Sequence, residues 1–133
     1  MKAVIILDPD QAAGLLVNTA SVLSVTLGDV IADIRGADTV TADGVVHPGV
    51  IRIPLPILQA NRELLTSIWK RALADDEIFA ADFTRTAQSC KTYDEYLDKC
   101  AATSSDAMGL LGLALYGPRK KINKLAGSLK MLR

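Results

Sequence analysis

The sequence contains few of the residues that build metal sites and disulfide frameworks. Among its 133 residues there are one histidine and two cysteines, too few for a zinc site and typical of a reducing compartment. Neither sign of charge is in excess, because 15 basic side chains balance 15 acidic ones. That balance argues against a general nucleic-acid or membrane-surface binder. Phosphate loops, dinucleotide fingerprints and nucleophile elbows are also missing. The sequence therefore predicts no cofactor and no metal.

Apolar residues make up half of the chain, enough for a real core in one domain spanning residues 1–133. Residues 3–7 form an apolar run that stops at Asp8, too early for a secretion signal. The next apolar stretch, residues 12–27, is interrupted by polar residues and is expected to be too short to span a bilayer. The sequence therefore predicts a cytoplasmic protein without a membrane partner.

Alternating apolar segments and turn residues predict an α/β domain. We expect strands at residues 2–7, 50–58, 78–83 and 108–116, and a hairpin with a two-residue turn at Asp43-Gly44. Prolines at positions 54 and 56 favour an edge for the second strand, whereas the continuous apolar run at 108–116 is typical of a central strand. This order predicts a three-layer α/β/α sandwich with a mixed, mostly parallel sheet of about four to five strands.

Helix signals lie between these strands. The first helix is expected over residues 11–28, ended by Gly28, and the second begins after the capping residue Asn61. Thr92 and Glu95 form a capping box for a third helix, and Pro118 is predicted as the first residue of the last helix. Inward-facing residues are expected on the third helix at Tyr93, Tyr96, Leu97 and Cys100, and on the last at Ile122, Leu125, Leu129 and Leu132.

Two segments carry a resemblance to a known family. Residues 122–132 read Ile-Asn-Lys-Leu-Ala-Gly-Ser-Leu-Lys-Met-Leu, and residues 82–86 read Asp-Phe-Thr-Arg-Thr. They resemble the closing Ile-Asp-Lys-Val-Thr-Gly-x-Leu-Lys-Leu and the Asp-Ala-Gly-Arg-Thr of the type II peptidyl-tRNA hydrolases. The resemblance implies a fold of that type. It also implies a homodimer, because the resembled family forms homodimers.

The first helix departs from that family's pattern. The family's lysine, glutamine and histidine fall on Gly14, Asn18 and Ser21, whereas its aspartate and threonine are kept as Asp82 and Thr86. A cation and an imidazole that could polarise an ester and move a proton are therefore missing. The sequence is similar to a group of uncharacterised bacterial proteins with this fold, and it predicts that peptidyl-tRNA hydrolysis is lost. The alternative is a hydrolase acting on a related ester or amide through Asp82, Thr86, Asn18 and Ser21.

Basic residues crowd the start of the last helix. Arg119, Lys120 and Lys121 lie where the helix dipole favours anions, so the sequence predicts a site for a small anionic or phosphate-containing ligand there. Asp8 and Arg85, each after a strand end, are further candidate ligand-binding residues. The alternative is that these cations form an ordinary solvated face.

Two other functions are possible from the sequence, RNA binding and a purely structural role. RNA is disfavoured, because it would need a broader basic surface than this tail. A purely structural role would use residues 53–58 as a dimer edge, although the prolines there resist extension of the sheet.

Overall fold

A computed structural model describes the whole chain, Met1–Arg133. It has six strands and five α-helices, with one short 3₁₀ helix at Ser105–Ala107. The strands are β1 (Lys2–Leu7), β2 (Thr39–Val40), β3 (Val46–His47), β4 (Ile57–Gln59), β5 (Phe79–Thr84) and β6 (Leu110–Gly117). The helices are α1 (Ala13–Val30), α2 (Arg62–Leu73), α3 (Arg85–Gln88), α4 (Tyr93–Ala101) and α5 (Arg119–Ala126).

Four strands form one mixed sheet in the order β4-β1-β6-β5. The pairing of β1 with β4 is the one parallel pairing, because β6 runs antiparallel to both of its neighbours, β1 and β5. The prediction of a mostly parallel sheet is therefore wrong. The cause is the segment 85–109, which contains helices but leaves and re-enters the sheet at the same end, where the Arg85 N–H donates to the Gly109 carbonyl at 2.7 Å. A connection that returns to the same end gives an antiparallel pair.

Helices cover both faces of this sheet and divide the core in two. Successive residues of β1 point to opposite faces, so Val4 and Ile6 pack with α2 and α5 while Ile5 and Leu7 pack with α1. The predicted central strand is confirmed as β6, in which seven of the eight residues are buried. The result is three layers, with α1 on one face and α2 and α5 on the other.

The predicted hairpin is present, with a different turn. The Thr41 carbonyl accepts from the Gly44 N–H at 2.9 Å, and the Thr41 N–H donates to the Val45 carbonyl at 3.0 Å. The loop therefore has three residues, Ala42, Asp43 and Gly44, and Gly44 takes a φ of +84°. A residue in that left-handed region after a tight turn is the usual form of a three-residue hairpin loop, and it favours glycine.

Helix α1 differs in length from the prediction. It continues through Gly28 to Val30, because a glycine in a helix weakens it without ending it. At 18 residues it is long and apolar enough, by length and composition alone, to cross a membrane, which corrects the expectation that this stretch is too short. Core helices of soluble proteins meet the same criterion.

The last helix is shorter than predicted and ends at Ala126, with Pro118 as its N-cap. Leu129 and Leu132 follow the helix instead of extending its stripe. Residues 130–132 run along the outer edge of β4, where Leu132 donates to Ile57 at 2.9 Å and Gln59 donates to Lys130 at 2.9 Å. This pairing occupies the edge that was expected to be available for a dimer within residues 53–58.

Helix α4 begins at the predicted cap, since the Thr92 hydroxyl accepts from the Glu95 N–H at 3.1 Å. Its inward face is narrower than predicted. Tyr93 and Leu97 are exposed, whereas Tyr96 and Cys100 are half-buried. The helix makes its main contact with the short helix α3 instead of with the sheet, so fewer of its residues reach the core.

Candidate anion-binding cleft

The end of β1 places a buried carboxylate at one edge of the sheet. Asp8 is 6% exposed, and its Oδ1 accepts from the Asp10 N–H at 3.0 Å. Its Oδ2 lies 3.9 Å from the Nε of Arg62, which opens α2 after β4. Asp8 does not cap α1, whose N-cap Ala12 makes no side-chain hydrogen bond. The buried carboxylate therefore forms a long ion pair with the half-exposed Arg62 at the strand ends.

Gln11 links two backbone segments at this edge of the sheet. Its Nε2 donates to the carbonyls of Asp8 at 2.7 Å and Leu111 at 3.0 Å. These two bonds tie the turn after β1 to the start of β6. Its Oε1 is buried without a hydrogen-bond partner.

A cleft of about 620 Å³ opens between α2 and the segment that follows β5. Helix α2 contributes Arg62, Thr66, Trp69, Lys70 and Leu73, which share one face because they repeat at helical spacing. The opposite wall is formed by residues 85–89 and 105–110. Three cations line the cleft against a single carboxylate, Asp106, although the chain as a whole is neutral.

The three cations differ in their partners. Lys70 lies 3.6 Å from Asp106 and Arg62 lies 3.9 Å from Asp8, so each is partly neutralised. The guanidinium of Arg85 has no carboxylate within 4.0 Å and no side-chain hydrogen bond within the chain. Arg85 is therefore the cation of the cleft whose donors are free to bind a ligand.

The backbone that carries Arg85 is held firmly. Its N–H donates to Gly109 at 2.7 Å, and the next residue, Thr86, donates its N–H and its hydroxyl to Met108 at 3.2 and 3.1 Å. Gly109 has a φ of +76°, and a Cβ on it would lie 3.1 Å from the Cβ of Arg85. Glycine is favoured here by both the conformation and the close approach. The cleft thus presents Arg85 from a fixed base.

The predicted cluster at the start of α5 lies elsewhere. Lys121 binds two carboxylates, Asp75 at 2.8 Å and Glu77 at 2.6 Å. The hydrogen bond from Lys121 lowers the pKa of Asp75, and the two carboxylates raise the pKa of Lys121. These acids relieve the conflict between Lys121 and the helix dipole. Arg119 and Lys120 are exposed and line neither this cleft nor the other cavities described below.

The candidate catalytic residues are not brought together. Thr86 lines the cleft, whereas Asp82 lines a second cavity of about 480 Å³ beside Tyr96 and Cys90. Ser21 lines a third cavity and donates its hydroxyl to the Val17 carbonyl at 2.8 Å. Asn18 is exposed on α1. No cavity holds a nucleophile together with a base from this set, so the structure leaves them without a shared site.

Two ionisable side chains of the second cavity, Asp82 and Tyr96, have raised pKa values. Burial raises the pKa of Asp82 above its ordinary value of 3.8. Burial, and then a hydrogen bond with Cys100, raise the pKa of Tyr96 to about 12. Both groups are therefore protonated more readily than usual. No group of three His, Cys, Asp or Glu side chains in the molecule could hold a metal ion, and His47 is exposed on β3.

Sequence reasoning found Arg85, Thr86 and Asp8 but missed the contribution of α2. Arg62, Thr66 and Lys70 form a polar stripe at four-residue spacing, with Trp69 beside it. That stripe was visible in the sequence. Whether the stripe lines a cleft depends on which face of α2 lies opposite residues 105–110. The antiparallel return of β6 decides that.

The fold and the cleft define a three-layer α/β protein with a basic cleft at one end of a mixed sheet. A family model described as "Protein of unknown function (DUF2000)" matches residues 1–133, and the chain belongs to this family. The solved structure of a protein of unknown function, Atu0240 from Agrobacterium tumefaciens str. C58, is similar to it with a TM-score of 0.87 and 22% identity. That likeness covers 98% of this chain and 96% of the other. No curated protein matches the sequence. None of these findings tests the likeness to type II peptidyl-tRNA hydrolases, which stays a prediction.

Proposed function

We propose that this protein binds a small anionic ligand, carrying a phosphate or carboxylate group, in the cleft between α2 and residues 85–110. The observation that carries the proposal is Arg85, a guanidinium without a carboxylate partner on a rigid backbone at the mouth of a basic cleft. Arginine donors form a planar fork that matches phosphate and carboxylate oxygens.

The chemistry of the cleft favours an anion over a neutral ligand. The hydroxyls of Thr66, Thr86 and Ser89 already donate to backbone carbonyls, so they offer a ligand only acceptor lone pairs. The indole N–H of Trp69 and the hydroxyl of Ser105 also face the cleft, but its positive charge comes from Arg85, Arg62 and Lys70 against the one carboxylate of Asp106. Trp69 adds an apolar and aromatic wall that could lie against the organic part of the ligand.

The proposal moves the predicted ligand site away from α5. Lys121 is neutralised by Asp75 and Glu77. Of the other predicted ligand-binding residues, Arg85 lines the cleft. Asp8 lies beside Arg62, which is one of the cations of the cleft. We do not extend the proposal to hydrolysis, because Asp82, Thr86 and Asn18 occupy separate places. The balanced net charge and the small extent of the basic surface favour a small ligand over RNA. A cytoplasmic location belongs to the same proposal and is supported by two unpaired cysteines.

A thermal-shift screen tests the proposal with defined probes: inorganic phosphate, pyrophosphate, nucleotides, acyl-amino acids and a tRNA. A ligand that binds only the folded protein raises the melting temperature by mass action. We expect a small anion to raise it in the wild type. A flat screen, or a response to tRNA alone, would refute a small-anion site.

Matched variants locate the site. Arg85→Ala should abolish the shift, whereas Arg119→Ala, which removes the same charge from an exposed arginine on α5, should leave it unchanged. The opposite pattern would return the site to the start of α5. Equal effects of both variants would indicate general charge attraction without a site.

A further inference from the structure

The carboxylate of Asp82 has no partner side chain within the protein. Asp82 lies half-buried in β5, at the edge of the sheet, where it pairs with Leu113 of β6. No basic side chain lies within 4.0 Å of its oxygens, because the ion pairs of the chain join other acids. A charged group that is partly removed from water is costly unless it is paired. A cation is therefore the partner that would compensate this carboxylate.

Aromatic rings line the same cavity as Asp82. Tyr93 and Tyr96 lie one turn apart on α4 and meet edge to face, with their ring centroids 5.6 Å apart and their planes inclined by 62°. Phe83, the neighbour of Asp82 on β5, contributes a third ring. Aromatic rings attract cations to their faces, and several rings around one cavity are the arrangement with which proteins bind alkylated ammonium ions.

The smaller polar groups of the lining are already bonded within the chain. The Thr26 hydroxyl donates to the Val22 carbonyl at 3.3 Å, and the Cys90 thiol donates to the Thr86 carbonyl at 3.2 Å. The Thr92 hydroxyl caps α4. The carboxylate is therefore the strongest acceptor that the cavity offers to a ligand.

Lys91 is the one basic residue of the lining. It is exposed and forms no ion pair with Asp82. An ammonium group in water interacts weakly with a carboxylate beyond contact distance, because solvent and salt screen the attraction. The cavity thus has one acid that is partly buried and one base that is solvated, and the acid is left to a ligand.

We propose that the second cavity binds a small organic ammonium ion, with its nitrogen near the Asp82 carboxylate and its alkyl groups against the tyrosine rings of α4. The cavity volume of about 480 Å³ lies within the range of about 300–1,000 Å³ that is usual for small-molecule sites. This ligand is opposite in charge to the one proposed for the cleft. No residue lines both the cleft and the second cavity, so each proposal stands without the other.

Choline and neohexyl alcohol test the requirement for a positive charge. The two molecules have nearly the same shape, but the alcohol has a carbon atom where choline has its charged nitrogen. Amide chemical shifts in nuclear magnetic resonance spectra of the 14.2 kDa protein follow the binding of each probe. We expect saturable shifts with choline at amides around the second cavity. The Kd of the alcohol should be roughly tenfold higher or more, because the attraction to the rings and to the carboxylate needs the charge.

Matched variants locate the site at Asp82. Asp82→Asn keeps the shape of the side chain and removes its charge, so we expect it to raise the Kd of choline roughly tenfold or more. Asp98→Asn removes the same charge from an exposed position of α4 outside the lining and should leave the Kd unchanged. Tyr96→Phe keeps the ring and should retain most of the binding, whereas Tyr96→Leu should weaken it. The amide spectrum of each variant shows at the same time that the variant is folded.

Three results would overturn the proposal. The first is equal affinity for choline and neohexyl alcohol, which would make the cavity an apolar pocket without selectivity for charge. The second is a choline Kd that is the same in Asp82→Asn and the wild type. The third is the absence of saturable shifts with choline, which would leave Asp82 as a charge that only discourages further pairing at the edge of the sheet.

Discussion

Gly112 lies in β6, beneath Thr19 of α1. It pairs with Leu7 on one side and Phe83 on the other. A Cβ at this position would lie 2.6 Å from the Cδ2 of Leu7 and 2.9 Å from the Cγ2 of Thr19. Both side chains are fully buried, so neither can move into solvent to make room.

Replacing this glycine with alanine should therefore destabilise the protein. Adding a methyl group to a closely packed core costs about 1–3 kcal/mol through forced shifts of side chains and backbone. We expect Gly112→Ala to fall toward the upper part of that range, because two separate side chains and the Ile6 carbonyl, at 3.2 Å, would have to move together.

Gly28→Ala, in α1, is the matched control. A Cβ on Gly28 meets nothing within 4 Å, and alanine in a helix is more favourable than glycine by about 0.5–1 kcal/mol. This variant should stabilise the protein by a similar amount. The same substitution thus has opposite signs at two glycines, one in β6 and one in α1.

Urea unfolding, followed by circular dichroism at one protein concentration, measures both effects. A lower midpoint with an unchanged slope for Gly112→Ala would confirm the loss of stability. A Gly112→Ala protein as stable as the wild type would show that α1 does not pack on β6 as closely as described.

Three further predictions concern single side chains. Because burial raises the pKa of Asp82 above 3.8, the unfolded chain releases this proton first, and the contribution of Asp82 to stability falls as the pH rises from there through the folded pKa. Asp82→Asn should remove that loss in unfolding measured from acid to neutral pH, and a parallel pH profile would contradict it. Thr92→Ala should cost about 1 kcal/mol by removing the α4 cap, with Thr92→Ser retaining most of it; an unchanged urea midpoint would contradict this. Absorbance titration should show one tyrosine ionising near pH 12, a component lost in Tyr96→Phe and kept in Tyr93→Phe.

Much of the fold could be predicted because each signal was local. The continuous apolar run of β6, the Asn61 and Thr92 caps, and the turn around Asp43-Gly44 depend only on neighbouring residues. The direction of β6 could not be predicted in this way. Helices occur both in crossovers and in same-end returns, so their presence between β5 and β6 does not decide between parallel and antiparallel pairing.

The candidate site was predicted only in part, for a related reason. Arg85 and Thr86 were found because they follow a strand end. Lys121 looked free because Asp75 and Glu77, its partners, lie more than 40 positions away in the sequence. Asp82, four residues from Thr86, lines a different cavity, at the edge of the sheet beside α4. Convergence of distant side chains is the information that one sequence does not carry.

Trp69, the only tryptophan of the chain, lines the cleft, so we expect its fluorescence to change when a ligand binds there. The decisive measurement is a fluorescence titration of the wild type with pyrophosphate, repeated with Arg85→Ala and Arg119→Ala. We expect a saturable change in the wild type, a Kd raised roughly 10- to 100-fold in Arg85→Ala, since a charged hydrogen-bond partner is lost, and an unaltered curve in Arg119→Ala. A Kd that is the same in the wild type and Arg85→Ala, or no saturable change in the wild type, would contradict an anion site in this cleft.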